Sequence, residues 1–198
     1  SKQRVTINIV QVLLHSNQKE LPGSIEGVDV PYGIPMFRFT EEMRDALDQV
    51  FPNSSMHATA SSRRNRLLSL IATGTLSVLD PKPNEALKLW IVINEKDFEL
   101  PERELLFNRV EALNDWLLEE RKYPEPVRII YERGDQTWKS VFEEKVLEVE
   151  IGGGSLLTDD FYTQSVVLQG NIPVWWLLPT GCSESEYKAI ATRLKQHH

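Results

Sequence analysis

Sulfur chemistry is almost missing from this chain. Its one cysteine, Cys182, allows no internal disulfide, so nothing calls for an oxidising compartment and the cytoplasm is expected. No apolar run is long enough to cross a bilayer and no signal-peptide pattern opens the sequence, so no membrane role is expected. Basic excess is lacking too. With 22 Lys and Arg against 29 Asp and Glu, the net charge of −7 argues against a nucleic-acid partner, which needs a basic face. There is no G-x-S-x-G elbow for a serine hydrolase. His57 has no second histidine at metal-ligand spacing. Gly152-Gly153-Gly154-Ser155 lacks the lysine of a P-loop and reads as a turn.

What is present is ordinary for a folded chain. The 198 residues are 41% hydrophobic and 26% charged, enough for a sizeable core in one or two domains. Val5–Leu14 carries apolar residues at helical spacing, although Val5, Ile7 and Ile9 also alternate; a helix is expected. Residues 16–39 are rich in turn formers and read as a long loop. Thr40 is placed to cap a helix with Glu41 and Glu42 in its first turn and Met43, Ala46, Leu47, Val50 and Phe51 as its apolar stripe. Leu67–Ala72 and Leu87–Ile93 are expected strands, the second buried on both faces. A helix opens at Leu100-Pro101-Glu102, with Leu105, Leu106, Val110, Leu113, Trp116 and Leu117 as its buried stripe. Val127–Tyr131 is a further strand. Thr137–Glu144 is predicted helical, Leu147–Ile151 a half-exposed strand, Asp159–Leu168 a helix and Ile172–Leu178 a strand. Ser183 and Glu186 form a capping box for a last helix to Lys195.

The stretch Gly74–Ile93 organises the rest. A strand runs into Gly74-Thr75, a polar spacer follows, and a strongly apolar strand leaves it. This layout resembles the site of nucleotidyltransferases of the polymerase-β type. Their second strand carries D-x-D, and strand side chains at i and i+2 share a face. With its flanks, the chain is similar to the N-terminal catalytic region of class I adenylate cyclases of gamma-proteobacteria. Those enzymes show G-S, a Ser-rich spacer and D-L-D-I-W, where this chain has Gly74-Thr75 and then Ala86-Leu87-Lys88-Leu89-Trp90. Further agreement lies in Leu13-Leu14-His15, Pro22-Gly23, Glu26-Gly27, Val30-Pro31-Tyr32-Gly33-Ile34, Asp159-Asp160-Phe161-Tyr162 and Val174–Pro179.

The resemblance implies an α/β nucleotidyltransferase-like fold, a mixed sheet flanked by helices. Residues 1–66 are expected to form a helical and loop extension packed on a main domain of 67–198. It also implies a fragment or shortened relative, since those cyclases continue into a large C-terminal region. Active relatives use Mg²⁺, held by the paired acids. Here the two acid positions are Ala86 and Lys88, and the strand Val127–Tyr131, where a third acid is often found, offers Pro126, Arg128 and Ile130. Glu132 falls just beyond it. No catalytic residue and no cofactor are therefore expected, and the domain reads as inactive, with a regulatory, scaffolding or interaction role. Its partner would be itself, a C-terminal region of a longer chain, or an intact cyclase, with Trp138, Trp175, Trp176 and Tyr162 as anchor candidates. One alternative is a metal-independent nucleotide or anion site built from Gly74, Thr75, Lys88, Trp90, Arg63 and Arg64. The other is a cyclase that converts ATP to cyclic AMP through acids not identified. His15 reads as a packed or capping histidine.

Overall fold

A computed structural model describes residues 2–19, 21–25, 30–52, 65–73, 87–132, 165–171, 183, 185–186 and 189. Helix α1 is Lys2–His15 and α2 is Glu41–Val50. Strand β1 is Ser69–Thr73, β2 is Lys88–Asn94, and a 3₁₀ turn at Glu95–Asp97 leads to α3, Leu100–Glu119. Strands β3, Val127–Glu132, and β4, Val166–Gly170, complete the described elements.

The strands form one mixed sheet in the order β3-β2-β1-β4. Strand β2 is antiparallel to β1 and parallel to β3. The parallel pair requires a crossover, and α3 supplies it. This is an α/β fold with β2 in the sheet interior. Five of the seven β2 residues are buried, as its apolar run implies.

Alternation divides the sheet into two faces. Leu70, Ala72, Leu89, Ile91, Ile93 and Val127 join a core with α3 residues Leu106, Val110, Leu113 and Leu117. Helices α1 and α2 enter the same core through Ile9, Val12, Leu13, Met43 and Leu47. The C-terminal half of α1 is buried on nearly all sides, which suits its run of apolar residues. In α2 the Thr40 side chain accepts from the Met43 N–H at 3.2 Å, satisfying a helix-start donor.

Several boundaries differ from the sequence expectation. Strand β1 starts at Ser69 rather than Leu67, because the Arg66 and Leu67 amides donate to Tyr32 and Gly33 carbonyls in the loop. Strand β3 extends through Glu132, paired with Asn94, so Glu132 is not beyond the strand. The predicted helix to Leu168 is corrected over its last residues. Val166–Gly170 is a strand paired with β1, with a bulge that leaves Leu168 as the extra residue. Two adjacent β-branched valines favour that extended state. The segments predicted at 137–144, 147–151 and 172–178, the glycine run and Asp159–Tyr162 lie outside the described residues. The Ser183 and Glu186 capping box is present: the Ser183 N–H donates to Oε2 of Glu186 at 2.9 Å, and Ser185, Glu186 and Ala189 are helical.

Candidate functional site

The end of β1 and the start of β2 meet where the sequence places its site. Thr73 pairs with Lys88, and Ile71 with Trp90. The indole Nε1–H of Trp90 donates to Thr73 Oγ1 at 2.8 Å, a buried bond that ties the two strands together. Lys88 is half-buried at the first position of β2. By alternation it shares a face with Trp90 and Val92, opposite the core face of Leu89, Ile91 and Ile93.

Register with β3 adds a residue that belongs to this face. Arg128 pairs with Trp90, and its guanidinium sits 5.3 Å from the indole ring centre. A loose ion pair to Glu125 at 3.6 Å also orients it. Behind Lys88, the buried Tyr123 hydroxyl donates to the Leu87 carbonyl and fixes the chain entering β2. Burial pushes that hydroxyl up to about 12, so it stays a donor at neutral pH. Asn114 of α3 bonds both backbone groups of Val127, at 2.8 and 3.1 Å, and so holds the start of β3 beside β2.

The face that carries Lys88 thus also carries Thr73, Trp90 and Arg128. Gly74, Thr75, Ala86, Arg63 and Arg64 lie outside the described residues, as do Trp138, Tyr162, Trp175, Trp176, His57 and Cys182. Among the described residues no group of three or more His, Cys, Asp or Glu is placed to hold a metal ion. No helix among them is long and apolar enough to cross a membrane.

The profile of the adenylate cyclase NT domain family matches residues 1–176. The chain belongs to that family. No curated protein and no solved structure matches it. The class I adenylate cyclase N-terminal domain is nucleotidyltransferase-like, and the mixed sheet found here agrees with that fold.

Two segments singled out in the sequence, Leu13-Leu14-His15 and Val30–Ile34, form one structural clasp. The Gly33 N–H donates to the Leu14 carbonyl at 3.0 Å, and the Ile34 N–H to His15 Nδ1 at 3.2 Å. Arg109, 2% exposed on α3, reaches in and donates to the carbonyls of Leu13, Ser16 and Pro31. Its cation also faces the negative end of the α1 dipole. Burial pulls the guanidinium down to about 10, which leaves it charged at neutral pH. Arg109 is polar by residue type and so falls outside the apolar stripe that the sequence shows for α3. Its position three residues after Leu106 and four before Leu113 was the available signal.

His15 is a packing residue in this clasp. Its ring stacks on Phe37 with centres 3.9 Å apart, and Nε2 is buried with no hydrogen-bond partner among the described residues. Desolvation holds the imidazole below its ordinary pKa of 6.5. Above that pH the ring is neutral in both folded and unfolded chains, and stability is at its full value. As pH falls below it, the unfolded chain takes up a proton that the folded ring resists, so stability declines until the folded ring also titrates. Protonation would also put a hydrogen on Nδ1, against the Ile34 amide. His15→Asn keeps an acceptor near Nδ1 and removes the titration. Urea midpoints measured from pH 7.5 to 5 are expected to fall less steeply in this variant than in the parent; parallel curves would assign the acid sensitivity to other groups.

Proposed function

We propose that this domain is a catalytically inactive member of its family, with a regulatory, scaffolding or interaction role. The observation that supports this is the chemistry of one sheet face: Lys88 at a position where active relatives carry an acid, with Arg128 beside Trp90 on the next strand. Cyclising ATP requires the 3′-hydroxyl deprotonated, the α-phosphorus polarised and the pyrophosphate charge offset, and relatives use acid-held metals for much of this. An ammonium and a guanidinium do not suit a divalent cation. A unit positive charge about 4 Å from such an ion costs on the order of several kcal/mol at intermediate dielectric.

Purified protein given ATP with Mg²⁺ or Mn²⁺ is expected to form no cyclic AMP above a protein-free blank, read by mass spectrometry. Turnover that survives repurification would point instead to a cyclase working through other acids. The Ala86→Asp, Lys88→Asp double variant tests the same idea from the other side. It should gain manganese binding that the parent lacks.

A second reading has its own support. Arg128 adds a second cation to the face of Lys88, so a phosphate group could be held directly, without metal. Calorimetric titration with ATP and GTP in EDTA separates the two readings: heat that disappears in Lys88→Ala favours the anion site, and no heat at millimolar nucleotide removes it. The net charge of −7 keeps nucleic acid an unfavourable partner, and the cytoplasm fits a chain with one cysteine. A second copy, a C-terminal region of a longer chain, or an intact cyclase remain the partners this reading favours.

A further inference from the structure

Helix α3 is apolar on two sides. One side, Leu106, Val110, Leu113 and Leu117, is in the core. The other consists of Leu100, Phe107 and Leu118, which are 74, 53 and 59% exposed. At about 100° per residue these three project within roughly 20° of one another, forming a stripe about 27 Å long. Trp116, which stacks on Phe51 after α2, lies on the opposite flank of α3. Phe107 also borders a shallow solvent-open hollow of about 370 Å³ shared with Arg103, Glu104 and Asn108. Single exposed leucines are normal on a soluble protein, but an aligned row on one helix marks a surface suited to a partner.

Charge identifies the partner's chemistry. Glu104, Glu111 and Asp115 are exposed on α3 along one side of the stripe, within roughly 80° of it, and the exposed Glu119 lies farther round the same side. Of the two basic residues of α3, Arg109 is buried, and Arg103 is half-buried on the other side of the row, where its Nε donates to the Phe98 carbonyl. An apolar row edged on one side by carboxylates complements a helix with an apolar row edged by Lys or Arg. A second copy of the same face would set carboxylates against carboxylates, which disfavours self-pairing.

We propose that the outer face of α3 docks a basic amphipathic helix, with Phe107 as the central anchor and the flanking acids setting its orientation. The inference goes beyond the inactive-cyclase reading and does not depend on it. A cyclic AMP assay decides one and a peptide titration the other.

The probe is a synthetic peptide of about 20 residues, long enough to follow the stripe as a helix, with leucines on one face and lysines on the other. Its control carries glutamate in place of lysine. Fluorescence anisotropy should show binding of the lysine peptide that weakens with added salt. The Phe107→Ser, Leu118→Ser double variant should lose about tenfold or more in affinity, as truncating central anchors does. Both positions are exposed, so the variant is expected to fold, and its thermal melt checks this. A Glu111→Lys, Asp115→Lys variant should also bind more weakly. Equal binding to the serine variant would reduce the effect to the net charge of the protein and overturn the proposal. So would no binding, or equal binding of the glutamate peptide. Self-association by light scattering that vanishes in the serine variant would overturn it in favour of a second copy.

Discussion

Arg109→Leu is expected to lower stability by about 3 kcal/mol or more, measured by urea unfolding. Leucine fills much of the arginine's volume but donates no hydrogen bond. The carbonyls of Ser16 and Pro31 would lose this donor inside the protein, and the Leu13 carbonyl would keep only the Ser16 N–H at 3.3 Å. Each buried acceptor left unmet costs about 1–3 kcal/mol, and removing the cost of burying a charge recovers part of that. The damage should spread, because this one side chain joins α3, the end of α1 and the 31–34 segment. Arg109→Lys should give an intermediate loss. A lysine ammonium keeps the charge but cannot span three separated carbonyls as a planar guanidinium does. A loss under about 1 kcal/mol for the leucine variant would show that the carbonyls find other donors and that the clasp does not depend on this residue.

Gly170→Ala should be nearly as severe. Gly170 ends β4 with φ +93°, a left-handed conformation that a side chain strains. A Cβ there would stand 2.3 Å from the Leu68 carbonyl oxygen and 2.8 Å from both the Ser69 Cα and the Ile34 Cγ2. Two of these obstacles are backbone, and the Leu68 carbonyl also accepts the Asn171 N–H at 3.0 Å, so it cannot move without breaking that bond. A loss of about 2–4 kcal/mol is expected from strain and overlap together. Thermal unfolding of the variant checks it, with Gly23→Ala as the comparison. Gly23 also has positive φ, +82°, but its nearest obstacles are 3.2 Å away, so its loss should be smaller. Equal losses at the two glycines would mean that backbone conformation, and not the close approach to β1, sets the cost.

The two residues differ in how well the sequence announced them. Gly170 follows a β-branched pair and could be read as a strand end, yet the segment was assigned to a helix. Its partner strand, Ser69–Ala72, lies nearly a hundred residues earlier, and no local pattern reports such a pairing. Arg109 sat within the apolar arc of a helix that was otherwise read correctly. Helix α2 was legible down to its cap, because Thr40, the acidic first turn and the one-sided stripe all agree. Strand β2 was legible because its short, β-branched apolar run suits an interior strand. Of the candidate site, Lys88 and Trp90 come from the motif, and Arg128 is one of three positions the next strand offers; only the register between β2 and β3 sets it beside Trp90. A one-residue slip would have sent it to the core face. The exposed row of Leu100, Phe107 and Leu118 was hidden by the stronger inward stripe of the same helix.

Local chemistry in the chain determined its family, its α/β class and most of the described helices and strands. It also set an amine, Lys88, at the start of β2. These depend on residue type and short spacing, which are properties of a segment alone. The tertiary structure decided which distant groups meet. It set Arg109 against three carbonyls from two segments, closed Gly170 on Leu68, and brought Arg128 over Trp90. Such contacts follow from strand register and helix docking, and those are settled by how the whole core packs.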